Sequence, residues 1–126
     1  MHRFKDLEIW KYSREFCKEI YEVTQAFPET EKFGLVMQLR RGCVSIPSNI
    51  AEGASRKSNK DFDRFLEIAL GSCFEVETQL LISNDLDVID DFDLKKLQSK
   101  ISSIIKMISK FRSNITQSGN CNNPII

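Results

Sequence analysis

The sequence predicts an all-α protein, an antiparallel up-down-up-down bundle of four helices with a proline inside the second. Three observations predict it. No segment alternates apolar and polar residues with the period of two that a half-buried strand requires. In four segments apolar residues instead recur at steps of three and four, which places them on one face of a helix. The connections between these segments are short and polar, which favours neighbouring helices packed side by side. The chain has 126 residues, a length suited to one domain with a real core.

The first helix falls within residues 1–27. Phe4, Leu7 and Trp10, then Phe16, Cys17, Ile20 and Val23, form its stripe, while Tyr12 and Tyr21 lie off it, where a hydroxyl reaches water. Phe27-Pro28 ends it, because a residue before proline avoids helical dihedrals. Thr30 is the candidate N-cap of the second helix, expected from Glu31 to Glu52. Its stripe, Leu35, Leu39, Cys43, Ile46 and Ile50, continues across Pro47. Pro47 has no N–H to give the Cys43 carbonyl and its ring crowds that carbonyl, so the unbroken period predicts a kink rather than a stop.

Gly53, Ser55, Ser58 and Asn59 mark a turn made basic by Arg56, Lys57 and Lys60. Ser58 with Asp61 resembles a capping box, opening a third helix over Asn59–Ser83. Its core stripe is Phe62, Phe65, Leu66, Ala69, Cys73, Val76 and Leu80, and a second stripe of Leu70, Phe74 and Leu81 contains Glu77. An acidic loop carries candidate N-caps at Asp90 and Asp91. The fourth helix shows a heptad seam, Leu94, Leu97, Ile101, Ile104, Ile108, Phe111 and Ile115. The bundle is thus assigned to residues 1–115. The tail, residues 116–126, has Gly, Asn and Pro without a period and is expected to be flexible.

Composition narrows the function. Lysines plus arginines equal aspartates plus glutamates at 18 each, so net charge points to no partner. The four cysteines, at positions 17, 43, 73 and 121, are spaced unlike metal ligands and read as small buried hydrophobes of a reducing cytoplasm. No apolar run approaches the length of a membrane span and no signal peptide is visible, so a cytoplasmic protein with no membrane contact is expected. A di-iron bundle site requires Glu-x-x-His pairs, and the one histidine is His2, expected in a mobile terminus. Neither zinc-ligand pairs nor a phosphate-binding glycine loop is present. No cofactor, metal or catalytic residue is therefore expected, and the chain reads as a non-enzyme. Asn49, Glu52, Glu75 and Glu77 are the polar residues nearest apolar stripes; a paired-carboxylate acid–base site is the sharper reading and hydrogen bonding at helix ends or subunit contacts the plainer one.

Two surfaces are candidate sites. Arg40, Arg41, Arg56, Lys57 and Lys60, with Arg64, are the densest basic set and are candidate phosphate contacts, with a solvated rim of ordinary ion pairs as the alternative. No aromatic residue is interleaved to stack bases. The second helix is apolar on most sides, with Val36, Met37, Val44, Pro47 and Ala51 opposite small or polar Gly42, Ser45, Asn49 and Glu52, and a single bundle does not bury all of it. A partner chain is implied, with Val44, Ser45, Asn49, Glu52, Leu70, Phe74, Glu77 and Leu81 as the candidate oligomer interface.

Three runs carry a resemblance: FKDLEIW at Phe4–Trp10, FPETEKFGLVMQLRRGCVSIPSNIAEG at Phe27–Gly53, and FLEIALGSCFEVETQL at Phe65–Leu80. From Phe4 to Phe111 the chain resembles the four-helix-bundle proteins encoded in bacterial 23S rRNA intervening sequences, a family that also includes accessory proteins of diversity-generating retroelements. Gly42 stands where that family usually has alanine. The resemblance implies a non-catalytic bundle assembled as a ring, a homopentamer. In retroelement members it implies a reverse transcriptase partner and RNA or DNA bound on a basic surface. Two readings follow, a nucleic-acid-associated accessory oligomer and a protein-binding scaffold with no nucleic-acid role.

Overall fold

The computed structural model describes residues 2–120. They form four α-helices: α1 (Glu8–Thr24), α2 (Met37–Ala54), α3 (Asn59–Asp85) and α4 (Asp91–Asn120), with no strand among the described residues. Each helix packs on its neighbour in sequence, and α4 returns against α1, so one core sits between all four.

Helix ends follow local chemistry. The Ser58 hydroxyl accepts from the Asp61 N–H at 3.1 Å and caps α3. Asp90 Oδ1 does the same for the Asp93 N–H at 2.8 Å before α4. Other boundaries depart from the sequence reading. Phe4–Asp6 is a 3₁₀ turn and Leu7 is extended, so α1 starts at Glu8. Thr30 does not cap α2 but lies in a second 3₁₀ turn, Glu29–Glu31. A π-helical segment, Lys32–Val36, follows, in which Gly34 leaves helical dihedrals at φ −106°, ψ −107° and the Glu31 carboxylate accepts from the Leu35 N–H. The α-helix begins only at Met37. At the other end α4 runs to Asn120, so Thr116–Asn120, expected in the tail, are helical. The remaining tail, residues 121–126, lies outside the described residues.

The core stripes of α2, α3 and α4 follow the periodicity: Leu39, Cys43, Ile46 and Ile50, then Phe62, Leu66, Ala69, Cys73, Val76 and Leu80, then Leu94, Leu97, Ile101, Ile104, Ile108 and Ile115 are buried, whereas Leu35, Phe65 and Phe111 of the expected stripes are only half-buried. In α1 the deepest line is Ile9, Ser13, Phe16, Ile20 and Thr24, one step round from the expected stripe, and Phe4, Leu7, Trp10, Cys17 and Val23 are half-buried at its edge. The two buried hydroxyls return to their own helix, Ser13 donating to the Trp10 carbonyl at 3.1 Å and Thr24 to the Ile20 carbonyl at 2.7 Å. His2, expected in a mobile terminus, packs its ring 5.0 Å from Phe62 and 6.0 Å from Phe111, and its backbone N–H donates to the Ala54 carbonyl at 2.9 Å.

Helix α2 continues through Pro47. The Cys43 carbonyl, deprived of the donor that residue 47 would ordinarily supply, has the Cys17 thiol of α1 at 2.9 Å. Across α2 and α3 the approach is close because glycines face the neighbour. A Cβ at Gly42 would stand 2.8 Å from Val76 Cγ2, and one at Gly53 would stand 2.8 Å from both Phe62 Cδ1 and Phe65 Cβ.

These contacts separate the glycines by cost of substitution. Gly53→Ala should destabilise the chain by about 1–3 kcal/mol, because Phe65 Cβ sits next to backbone and cannot swing away. Gly71→Ala, with nothing within 4 Å, should leave stability unchanged or raise it by about 0.5–1 kcal/mol through helix propensity. Urea unfolding at equal protomer concentration compares them, and equal effects would contradict this packing.

Candidate functional site

The α2–α3 surface is built on a polar seam. Ser45 and Ser72 share a hydroxyl hydrogen bond of 2.8 Å between the helices. Asn49 donates to the Ser45 carbonyl at 2.8 Å and to its hydroxyl oxygen at 3.0 Å, so it serves its own helix. Next along the seam is a cleft of about 310 Å³ lined by Gln38, Arg41, Gly42, Ser45, Ser72, Glu75 and Gln79. Gln79 donates to Gln38 Oε1 at 3.3 Å, while its own Oε1 is buried with no partner among the described residues.

Apolar side chains stand out on both sides of this seam. On α3, Phe74 (53% exposed), Leu81 (41%) and Ile82 (42%) lie on one outward face with Thr78 between them. On α2, Met37 (39%) and Val44 (42%) are exposed, and with Phe33, Val36 and Tyr21 they line an open groove of about 590 Å³. Leu70 is half-buried against the core. Glu77, also half-buried, lies one turn from Cys73, whose thiol is pushed up to about 12 by burial first and by the Glu77 charge second. The candidate interface residues therefore divide. Val44, Phe74 and Leu81 are free to meet another surface, whereas Ser45, Asn49 and Glu52 already have partners within the chain.

The carboxylates are not gathered. The Ser45–Ser72 bond fixes the register of α2 on α3, and the helical rise then puts Glu52 and Glu75 on the order of 15 Å apart along the bundle. Glu52 is exposed and bound to Arg56 at 3.0 Å.

The five basic residues also fall into two groups, about 22 Å apart along α2. Arg40 is committed to α1. Its Nε donates to Thr24 Oγ1 at 2.9 Å, a terminal N–H donates to the Tyr21 carbonyl at 3.2 Å, and the guanidinium lies 4.5 Å from the Tyr21 ring centroid. It thus serves the Tyr21 carbonyl in the last turn of α1. Arg41 is exposed at the cleft. At the far end Arg56 pairs with Glu52 and lies over Phe65 at 4.7 Å. Lys57 and Lys60 are exposed and have no ion pair among the described residues.

The sequence reading missed the two longest-range ionic contacts. Arg112 on α4 holds Asp63 through two bonds of 2.7 and 3.1 Å, and this hydrogen bonding keeps its guanidinium above the ordinary range. Lys100 reaches Glu19 on α1 at 2.6 Å. Neither pair has a local spacing that could have revealed it. Among the described residues no group of three His, Cys, Asp or Glu side chains could hold a metal ion, and no helix is long and apolar enough to cross a membrane.

Residues 5–110 match the sequence profile of a family described as 23S rRNA-intervening sequence protein. The chain belongs to that family. The matched stretch of this intervening-sequence family member contains Cys17, Pro47, the α2–α3 seam and the outward face of α3. A crystal structure from Bacteroides thetaiotaomicron, described as a protein with unknown function from the S23 ribosomal protein family, is similar to the chain with a TM-score of 0.75 and 25% identity, over 82% of this chain and 97% of that one. No curated protein matches the sequence.

Proposed function

We propose that this intervening-sequence family member is a non-catalytic, cytoplasmic antiparallel four-helix bundle, bent at Pro47, whose function is exercised as a homo-oligomeric ring, a pentamer as the resemblance implies. The observation that carries the assembly is the exposed apolar face of α3, Phe74, Leu81 and Ile82, together with the groove around Met37 and Val44 on α2. Burying one large apolar side chain contributes about 1.5–3 kcal/mol, so two such surfaces on one small bundle favour association. They are different surfaces, one projecting and one grooved. A contact between them is heterologous and closes into a ring when its rotation divides the circle. The antiparallel course is supported by the pairings Gln38 with Gln79, Ser45 with Ser72 and Gly53 with Phe62, in which one number rises as the other falls. Separation of Glu52 from Glu75 supports the non-catalytic reading.

A second reading adds nucleic acid, and Lys57 on the α2–α3 turn and Lys60 in the first turn of α3, neither with an ion pair among the described residues, favour it. Contacts from this turn would go to phosphates and so carry little sequence preference. Arg41 would add to it only on a ligand spanning the length of α2, and Arg40 is occupied within the chain. By resemblance to retroelement members, a reverse transcriptase is the protein partner to try first.

Phe74→Glu should dissociate the assembly while leaving helix content intact, because Phe74 is outside the intrachain core. Light scattering with circular dichroism reads both. A wild-type monomer at micromolar concentration would sink the assembly reading, and an unchanged oligomer in the variant would move the contact off α3.

For structured RNA, affinity should fall steeply with salt, and Lys57→Ala with Lys60→Ala should lower the log–log salt slope by about one per lysine. Absence of wild-type binding at low salt would leave the scaffold reading.

A further inference from the structure

We propose that Cys17 and Cys43 form a peroxide-sensitive dithiol, in which Cys17 is oxidised first and Cys43 resolves it into a disulfide joining α1 to α2. The two residues meet across the α1–α2 contact, side chain of one against backbone of the other. Cys17 Sγ lies 2.9 Å from the Cys43 carbonyl oxygen, and Cys43 Sγ donates to the Arg40 carbonyl at 3.3 Å. Their exposure differs in the sense the order requires. Cys43 is sealed in the core, whereas Cys17 sits half-buried at its edge, where a small oxidant has access. Cys73, on α3, is buried and is the internal control.

The electrostatics agree with that order. Its contact with Cys43 lowers the pKa of Cys17, against the opposing effect of burial. Cys43 is pushed up, first by its neighbour Cys17 and then by burial. A thiolate is the nucleophile toward peroxide, so Cys17 is the group that reacts. In the first step Cys17 loses its proton to solvent, and its sulfur attacks one peroxide oxygen. The O–O bond breaks, hydroxide leaves and is protonated to water, and Cys17 becomes a sulfenic acid, oxidised by two electrons. That change abolishes the Cys17 charge that held the Cys43 proton in place. In the second step the Cys43 sulfur attacks the sulfenic sulfur; the S–S bond forms, the S–O bond breaks, and hydroxide leaves with the Cys43 proton as water. The sum is two thiols and one hydrogen peroxide giving one disulfide and two waters.

The oxidation has a structural consequence specific to this site. The Cys17 S–H is the donor that serves the Cys43 carbonyl in place of the N–H missing from Pro47. Disulfide formation removes that hydrogen and substitutes a covalent tie between the same two helices. The link between α1 and α2 thus survives oxidation in another chemical form.

The test uses the reduced full chain, hydrogen peroxide on the folded protein, removal of the peroxide, alkylation of remaining thiols in denaturant and mass spectrometry of unreduced peptides. The expected product links the Cys17 and Cys43 peptides, two hydrogens lighter than their sum, with Cys73 alkylated and the helical circular dichroism signal retained. Cys43→Ser should trap Cys17 as a sulfenic acid, read as an adduct with a 1,3-dione. Cys17→Ser keeps a hydroxyl donor for the Cys43 carbonyl and should leave Cys43 alkylatable after peroxide. The proposal is overturned if both thiols remain alkylatable in the treated wild type, or if Cys17 pairs with Cys73 or Cys121 instead. It also fails if the link appears only after helical signal is lost. A 1,3-dione adduct on Cys43 in Cys17→Ser would overturn the assigned order.

Discussion

Pro47 offers no N–H, and so the Cys43 carbonyl one turn earlier needs a donor from outside its own helix. A proline in a helix interior costs about 3 kcal/mol, and an unserved buried carbonyl accounts for about 1–3 kcal/mol of such a defect. The Cys17 thiol on α1 supplies the donor at 2.9 Å. This constraint fixes which helix lies beside α2 and at what level. Arg40 on the end of α1 holds the same pair above, and below it the backbone N–H of His2, ahead of α1, ties the N-terminal segment to the Ala54 carbonyl of α2. With α1 committed to one flank of α2, Gly42 and Gly53 bring α3 close on another. The outward sides of α2 and α3 then carry the apolar groups left over.

Much of this was legible in the sequence. Stripes with steps of three and four gave α2, α3 and α4 nearly residue for residue, because burial of a continuous apolar face decides those helices. Ser58 and Asp90 could be read as caps because a short oxygen-bearing side chain ahead of an apolar period has few other uses. The orphaned Cys43 carbonyl was also readable, since it follows from Pro47 alone. Its donor was not, for nothing local relates Cys17 to a residue 26 positions away. Errors clustered where backbone geometry overrides pattern. Gly34 turned the expected start of α2 into a π-helical segment, and buried Ser13 and Thr24 shifted the α1 stripe because each hydroxyl is satisfied by its own helix.

The candidate surfaces were legible in kind and less so in detail. An excess of apolar faces on α2 and α3 predicted exposed Val44, Phe74 and Leu81, and these are exposed. Polar members of the same set could not be sorted from sequence, since Ser45, Asn49 and Glu52 are used within the chain, by Ser72, by the Ser45 carbonyl and by Arg56. Proximity in sequence also misled for the basic residues. Arg40 lies in the first turn of α2 and Arg56 just past its last, so the length of the helix separates them, and Arg40 is drawn into α1 by Thr24 and Tyr21.

The most direct test of the proline-and-thiol constraint is a double-mutant cycle on Cys17 and Pro47, read by urea unfolding at one protomer concentration. Loss of packing around the Cys17 sulfur is common to both backgrounds and cancels. Cys17→Ala should cost about 1–3 kcal/mol in the wild type, and at least about 1 kcal/mol less in Pro47→Ala, where the new N–H serves the Cys43 carbonyl. An equal cost in the two backgrounds would contradict the account.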